Sequence, residues 1–342
     1  MPKFKKFLSL LLALILIVSL VGLAVSLNIK INFSNEAKIS TWIDYDSSYK
    51  ILINKVTDEA DNLVGSEYQV GNIKKVIKKS AETAYPQTKY EQNIKLLLSA
   101  NLNWLKGTTA KPEFNINLIN VKNNFANSIS NYFKSRIQNL PLCTDLQLAE
   151  INTPLATNCW PSSISPQTGA DQIKNQIINS SIFLNTKYIT PSNAVINSSV
   201  NNQPYYVQYS YVAKRYQQSQ KYLPYEVVAI VVSIVLILAL HPNRRKKFKL
   251  IGWSFLIAGL AVLASKWGIR GYNTKLNAYV AQNASTDEFK QPIDHFMKSA
   301  VLALNKSIVV NAAIYIAIGV IVLLVCYIYA ISHRSKKSDS IT

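Results

Sequence analysis

Between two long apolar runs, 223–240 and 250–265, lies the stretch His241-Pro242-Asn243-Arg244-Arg245-Lys246-Lys247-Phe248-Lys249, with five cations in the six positions 244–249. A short loop this basic between two membrane spans is retained on the cytoplasmic side, because Lys and Arg then need not cross the bilayer. Arg244, Arg245, Lys246, Lys247 and Lys249 therefore set the expected topology of the whole chain. Two further apolar runs, Phe7 to Leu27 and 307–331, also have basic ends, at Met1 to Lys6 and at His333-Arg334-Ser335-Lys336-Lys337. About 20 apolar residues cross a hydrocarbon core of about 30 Å. The expectation is an all-α membrane protein with four transmembrane helices and a mainly helical extracytoplasmic domain inserted between the first and second. The expected segments are a basic start and first helix (1–27), an outer domain (28–222) and a second helix (223–240). A basic turn (241–249), a third helix (250–267), an outer helical hairpin (268–306), a fourth helix (307–331) and a cytoplasmic tail (332–342) follow. A cleaved signal peptide is the rival reading of the first run, since Ala24-Val25-Ser26 supplies small residues. That run, however, exceeds the usual apolar region of about 7–15 residues.

Net charge is +19, and its distribution matters more than its sum. The three segments expected inside the cell hold 11 of the 37 Lys and Arg residues against one acid, Asp339. The segment 28–225 carries 20 basic and 13 acidic residues, with no dense stripe for a phosphate backbone, so no nucleic-acid partner is expected. The small cytoplasmic pieces exclude a folded kinase or NTPase domain on that side.

In the polar segment, Cys143 and Cys159 enclose 15 residues. In an oxidising compartment they read as a disulfide, and the alternative is a pair of reduced, buried thiols. Helical periodicity recurs along this segment. Ile53, Val56, Ala60 and Leu63 mark a helix from near Asp46, and Ile73, Val76, Ile77, Ala81 and Ala84 mark another ending before Pro86. Tyr90, Ile94, Leu97, Leu98 and Leu105 mark a third that Gly107 terminates, and Phe125, Ile129, Tyr132, Phe133 and Ile137 a fourth from about Ile119 to Leu140 that Pro141 ends. Phe114 to Leu118 alternates with period two and reads as a short extended lead-in. Ser165-Pro166 signals an N-cap and first-turn proline for a helix to about Asn179, and 179–203 reads as loop.

Tyr205, Tyr209, Val212, Tyr216 and Leu223 are spaced as one helix face. Tyr205, Tyr209 and Tyr216 form a candidate interaction surface, an aromatic platform. The plainer reading is packing, with Tyr222 and Tyr225 at the headgroup layer. Pro224 is expected to begin the second span or to break the helix there. Ser254, Ala258, Ala261 and Ser265 form a row of small residues that lets helices approach closely.

No metal-ligand spacing, phosphate loop or convincing catalytic pair emerges, so no cofactor, metal or catalytic residue is expected. Glu226, Asn311 and Lys266 are polar groups in or beside the spans and are expected at their outer ends. Asp44, Asp46, Asp58 and Asp61 are the remaining candidates for carboxylate chemistry.

The words Asn103-Trp104-Leu105-Lys106-Gly107, Pro112-Glu113-Phe114, Leu140-Pro141-Leu142-Cys143 and Cys159 resemble those of a set of uncharacterised bacterial membrane proteins. These are similar also in layout: an N-terminal anchor, an exported helical domain and further C-terminal spans joined by an Arg/Lys-rich turn. The resemblance spans roughly Leu98 to Lys249 and implies an architecture, with no activity or site residue to carry over. The expectation is a non-enzymatic membrane protein of the cell envelope whose outer domain serves interaction, scaffolding or sensing. Its expected partners are the lipid bilayer and an envelope protein or a second copy of the chain. A small transporter or channel subunit is the alternative, and an exported carboxylate-dependent enzyme the second.

Overall fold

The computed structural model describes residues 2–64, 73–144, 159–180, 187–193, 203–241, 243–283 and 290–338, and it is mostly helical. In chain order its elements are α1 (Pro2–Phe33), α2 (Glu36–Ser40), α3 (Tyr45–Val64), α4 (Ile73–Ala84), α5 (Gln87–Lys106), β1 (Ile116–Asn117) and α6 (Ile119–Gln138). After these come α7 (Pro166–Asn179), β2 (Tyr188–Ile189), α8 (Tyr205–Gln208), α9 (Ser210–Leu240), α10 (Arg244–Asn283) and α11 (Lys290–Ser338). The chain divides into two compact units, one of Met1–Ile43, Leu105–Thr108 and Ser210–Thr342, the other of Asp44–Trp104 and Thr109–Tyr209.

The first unit contains four helices long and apolar enough to cross a membrane, at Phe4–Phe33, Ser210–Leu240, Arg245–Gly268 and Lys290–Tyr329. Leu16, Leu20 and Ala24 of α1 pack in a core with Ile237, Ala258 and Tyr315 from α9, α10 and α11. The opposite faces are also apolar, with Leu14 and Val18, Val228 and Val231, and Ile321 and Val325 all exposed. Helices apolar all round suit a lipid environment, because water would penalise the outer faces.

α1 continues past the uncharged run, from Leu27 to Phe33. Asn32 holds this extension, donating to the Asn28 carbonyl at 2.8 Å and accepting from Lys38 Nζ at 2.6 Å. Pro224 lies inside α9, so it neither begins the span nor ends the helix before it. A helix tolerates this at the loss of one backbone hydrogen bond. The small-residue row divides: Ser254 and Ala258 are buried, whereas Ala261 and Ser265 are exposed. Close approach of α10 and α11 is made by glycines instead. A methyl group on Gly319 would lie 2.8 Å from the Gly252 carbonyl oxygen and 2.9 Å from Leu256 N. One on Gly259 would meet Ile316 N at 3.0 Å. Gly252 and Gly259 are seven residues, about two turns, apart and so share a face.

α11 has 49 residues, or about 73 Å of helix, so the fourth apolar run, 307–331, lies within one longer helix that begins at Lys290. Near its start Phe296 packs edge-on against Trp42, which packs in turn on Phe33.

In the second unit α3, α4, α6 and α7 close around Ile53, Ile77, Phe125, Ile129, Ile173 and Ile177. The expected helices all form, although Leu63, placed on the inner face of α3, lies among side chains outside the described set. Gly107 follows α5 with φ +78, a conformation that glycine adopts without a Cβ clash. Ser165 caps α7, its hydroxyl accepting from Thr168 N at 3.1 Å. The alternation in 112–118 is realised, with Pro112, Phe114, Ile116 and Leu118 buried and the residues between them exposed. The segment read as loop supplies its partner: β2 pairs antiparallel with β1, Ile116 opposite Ile189. An Asn193 turn positions β2, its side chain accepting from Thr190 N at 2.7 Å and donating to the Tyr188 carbonyl at 2.7 Å.

Candidate functional site

Cys143 and Cys159 form a disulfide with Cα atoms 4.8 Å apart. The bond is reinforced by backbone pairing, since Cys143 N donates to the Trp160 carbonyl at 3.0 Å and Trp160 N to that of Pro141 at 2.8 Å. Together they fix Trp160, whose indole N–H donates to the Ile164 carbonyl and whose ring covers Gly169 beside Ile137. The disulfide thus anchors the entry to α7 at the end of α6. Residues 145–158, most of the loop that it closes, lie outside the described residues.

The same unit contains a pocket of about 140 Å³ where α3, α5 and the two-stranded sheet meet. Tyr90, Asn93, Ile94 and Leu97 line it from α5, at i, i+3, i+4 and i+7, which is one helix face. Ile116 and Leu118 are turned to it by the period of two. Tyr85, just beyond α4, completes one wall.

Asn93 is buried, and its amide donates to the Tyr85 hydroxyl at 2.8 Å. Tyr49 donates to the Tyr85 carbonyl at 2.9 Å, and the Tyr85 and Tyr90 rings meet edge-on. Burial raises the pKa of both Tyr85 and Tyr90 above its ordinary value, so both remain neutral donors and acceptors across the physiological range. The chemistry of the pocket is apolar walls around one polar pair. Periodicity picks out Tyr90, Ile94, Leu97, Ile116 and Leu118 of its lining but passes over Asn93, Leu52, Tyr85 and Ile189. The available signal is an amide placed between Tyr90 and Ile94 on an otherwise apolar stripe.

The three expected platform tyrosines do not share one helix. Tyr205 opens α8, and its hydroxyl donates to Asn101 Oδ1 at 2.7 Å. Tyr209 falls in the break between α8 and α9 and is 40% exposed. Tyr216 lies on α9, is only 8% exposed and hydrogen-bonds Ser34. The spacing that suggests one face assumes an unbroken helix. The backbone turns at Tyr209 (φ −98, ψ 15) and divides the face.

In the first unit, polar groups line up along α1. The Tyr315 hydroxyl donates to the Leu20 carbonyl at 3.0 Å, Ser26 donates to Glu226 Oε1 at 3.2 Å, and Asn311 donates to Asn28 Oδ1 at 3.3 Å. Glu226 packs against Gly22, where a Cβ would lie 2.8 Å from Oε1, and Glu226 Oε2 is buried without a hydrogen-bond partner. Glu226 and Asn311 are thereby brought to one helix about half a turn apart, and Lys266 is not part of this set. His295, whose Nδ1 lies 3.2 Å from the Trp42 carbonyl oxygen, does not face a carboxylate partner there. Among the described residues no three His, Cys, Asp or Glu side chains converge as a metal site would require.

The basic turn is built as a helix junction. Asn243 Oδ1 accepts from Arg245 N at 3.0 Å and Lys246 N at 3.3 Å, capping α10 where Arg244 begins it. Lys247 Nζ donates to the Leu238 carbonyl at 2.6 Å, satisfying an end carbonyl of α9. Arg245 lies 5.8 Å over the Tyr329 ring, and Lys246 and Lys249 are exposed.

No protein family matches the chain, and comparison with curated proteins and with solved structures finds none similar to it.

Proposed function

We propose that this chain is a non-enzymatic integral membrane protein of the cell envelope, with both termini in the cytoplasm and an extracytoplasmic module that recognises a partner. The basic turn and basic ends support that orientation. The observation that carries the recognition role is the pocket of about 140 Å³ beneath α5. A dry cavity of about 150 Å³ holds one benzene ring. The pocket therefore suits a single side-chain-sized apolar group, with the Tyr85 and Asn93 pair as its polar handle. Such a group is what an envelope protein, or a second copy of this chain, would present.

Toluene, the side-chain analogue of phenylalanine, tests this on the detergent-solubilised full chain. Its binding raises the unfolding midpoint saturably in the wild type. Ile94→Trp fills the pocket and abolishes the rise. Equal responses from both proteins, or none from either, contradict the reading.

A transporter or channel subunit is the second reading, favoured by the unpartnered Glu226 Oε2 on a candidate span. It requires ion or solute flux through proteoliposomes that Glu226→Gln abolishes. Absence of flux from the wild type counts against it.

A further inference from the structure

We propose that the groove at the basic end of the α10–α11 hairpin seats one anionic phospholipid of the surrounding bilayer. The inference rests on the reading that these helices span the membrane, and it is independent of the pocket in the other unit. The groove has a volume of about 460 Å³, and its walls are Phe248 of α10 with Ile321, Val325, Cys326 and Tyr329 of α11. These side chains offer an acyl chain a continuous apolar bed. Arg245 stands at the rim, its guanidinium 5.8 Å over the Tyr329 ring. A guanidinium in cation–π contact with a ring still has N–H groups to offer an oxygen ligand, and phosphate matches their fork.

The other cations divide the work. Lys247 is committed to the Leu238 carbonyl, whereas Lys246 and Lys249 are exposed beside Arg245. The first turn of α10 adds the partial positive charge of a helix N-terminus at the same end. An apolar bed below a cationic rim, at the end of a span, reproduces the order of an anionic lipid: acyl chain, then phosphate, then water.

Charge selects among the possible occupants. A neutral lipid satisfies the walls and leaves the rim unmatched. A second copy packed side by side in the membrane would bring its own five cations of 244–249 to the same level, and the two turns would repel.

The test uses the full chain in phosphatidylcholine vesicles containing spin-labelled phosphatidylglycerol or spin-labelled phosphatidylcholine, with the motionally restricted fraction read by electron paramagnetic resonance. The wild type is expected to prefer phosphatidylglycerol by about five-fold or more, the factor that one cation near an anionic surface contributes. Arg245→Gln reduces that preference several-fold. Val325→Trp, at an exposed wall position, fills the groove and removes most of the restricted phosphatidylglycerol while all cations stay in place.

Equal restriction of the two lipids by the wild type overturns the proposal. Full preference in Val325→Trp also overturns it, by assigning the effect to surface charge alone. A copy-to-copy crosslink through a cysteine at Val325 does the same, by giving the groove to a second chain. Alkaline carbonate extraction of the same vesicles separates the two levels. Protein that is retained but shows no preference lacks only the seat, and protein that is washed off lacks the spanning helices as well.

Discussion

Asn93 and Tyr85 form a pair in which each side chain makes the other's position tolerable. Asn93→Leu leaves the buried Tyr85 hydroxyl without this donor, and the loss of one such bond in an apolar setting costs about 1–3 kcal/mol. A lowered urea midpoint measures it. Burial, the largest cause in each case, raises the pKa of Tyr85 and Tyr90 above 10.0. The unfolded chain releases these protons first as pH rises, so the stability they contribute is full below about pH 10 and declines as pH passes through the folded-state values. Urea midpoints taken from about pH 8 to about pH 11 therefore fall at the alkaline end, and fall less in Tyr85→Phe. A flat profile contradicts the burial of both rings. Gly169→Ala places a methyl 2.6 Å from Trp160 Cη2. Alanine is the better helix former by about 1 kcal/mol. Overpacking against a held ring nevertheless outweighs that gain, and a net loss of about 1–3 kcal/mol is expected in chemical unfolding. A gain in stability would mean that the ring does not lie on α7. Periodicity passes over Asn93, whose signal in the sequence is a polar residue on an apolar stripe. The Gly169 and Trp160 contact leaves no such signal, because it joins residues through a tertiary approach that no local period encodes.

The helices are where the sequence is most readable, since each buries a stripe with period 3.6 between recognisable stops. Ser165-Pro166 at the start of α7, Pro86 after α4 and Gly107 after α5 act as their chemistry requires. Pairing is less readable: β2 has two residues, and only its partner β1 reveals it. Pro224 and Tyr209 misdirect for a related reason, because neighbouring packing decides whether a helix continues. Two elements invite direct tests. Closing 15 residues between Cys143 and Cys159 stabilises the fold by about 3 kcal/mol on loop-entropy grounds. Dithiothreitol should lower the unfolding midpoint of the wild type, and Cys143→Ser should match the reduced protein and show no further response. The glycine seam of α10 and α11 is limited by backbone atoms on both sides, so Gly319→Ile must separate the helices. The expected outcome is a marked loss of thermal stability in detergent, whereas Ile318→Leu, at an exposed neighbouring position, has little effect. Equal stability of the two variants contradicts the seam.

At the scale of the whole molecule, the four apolar helices and the basic ends carry the account. Their core faces are matched by equally apolar outer faces, so water cannot be the solvent of all sides of this unit. The runs, their lengths and their flanking charges were legible in the sequence, because bilayer thickness and charge retention act on composition alone. The polar contacts of α1 with Glu226, Asn311 and Tyr315 were not, since they depend on which helix faces which. Orientation is the central claim. Gln176 is exposed on α7 and Lys246 is exposed in the basic turn. With Gln176→Cys and Lys246→Cys made separately, a membrane-impermeant thiol reagent applied to intact cells should label position 176 at once and position 246 only after permeabilisation. Labelling of position 246 in intact cells, with position 176 protected, would contradict the topology and the extracytoplasmic recognition role that depends on it.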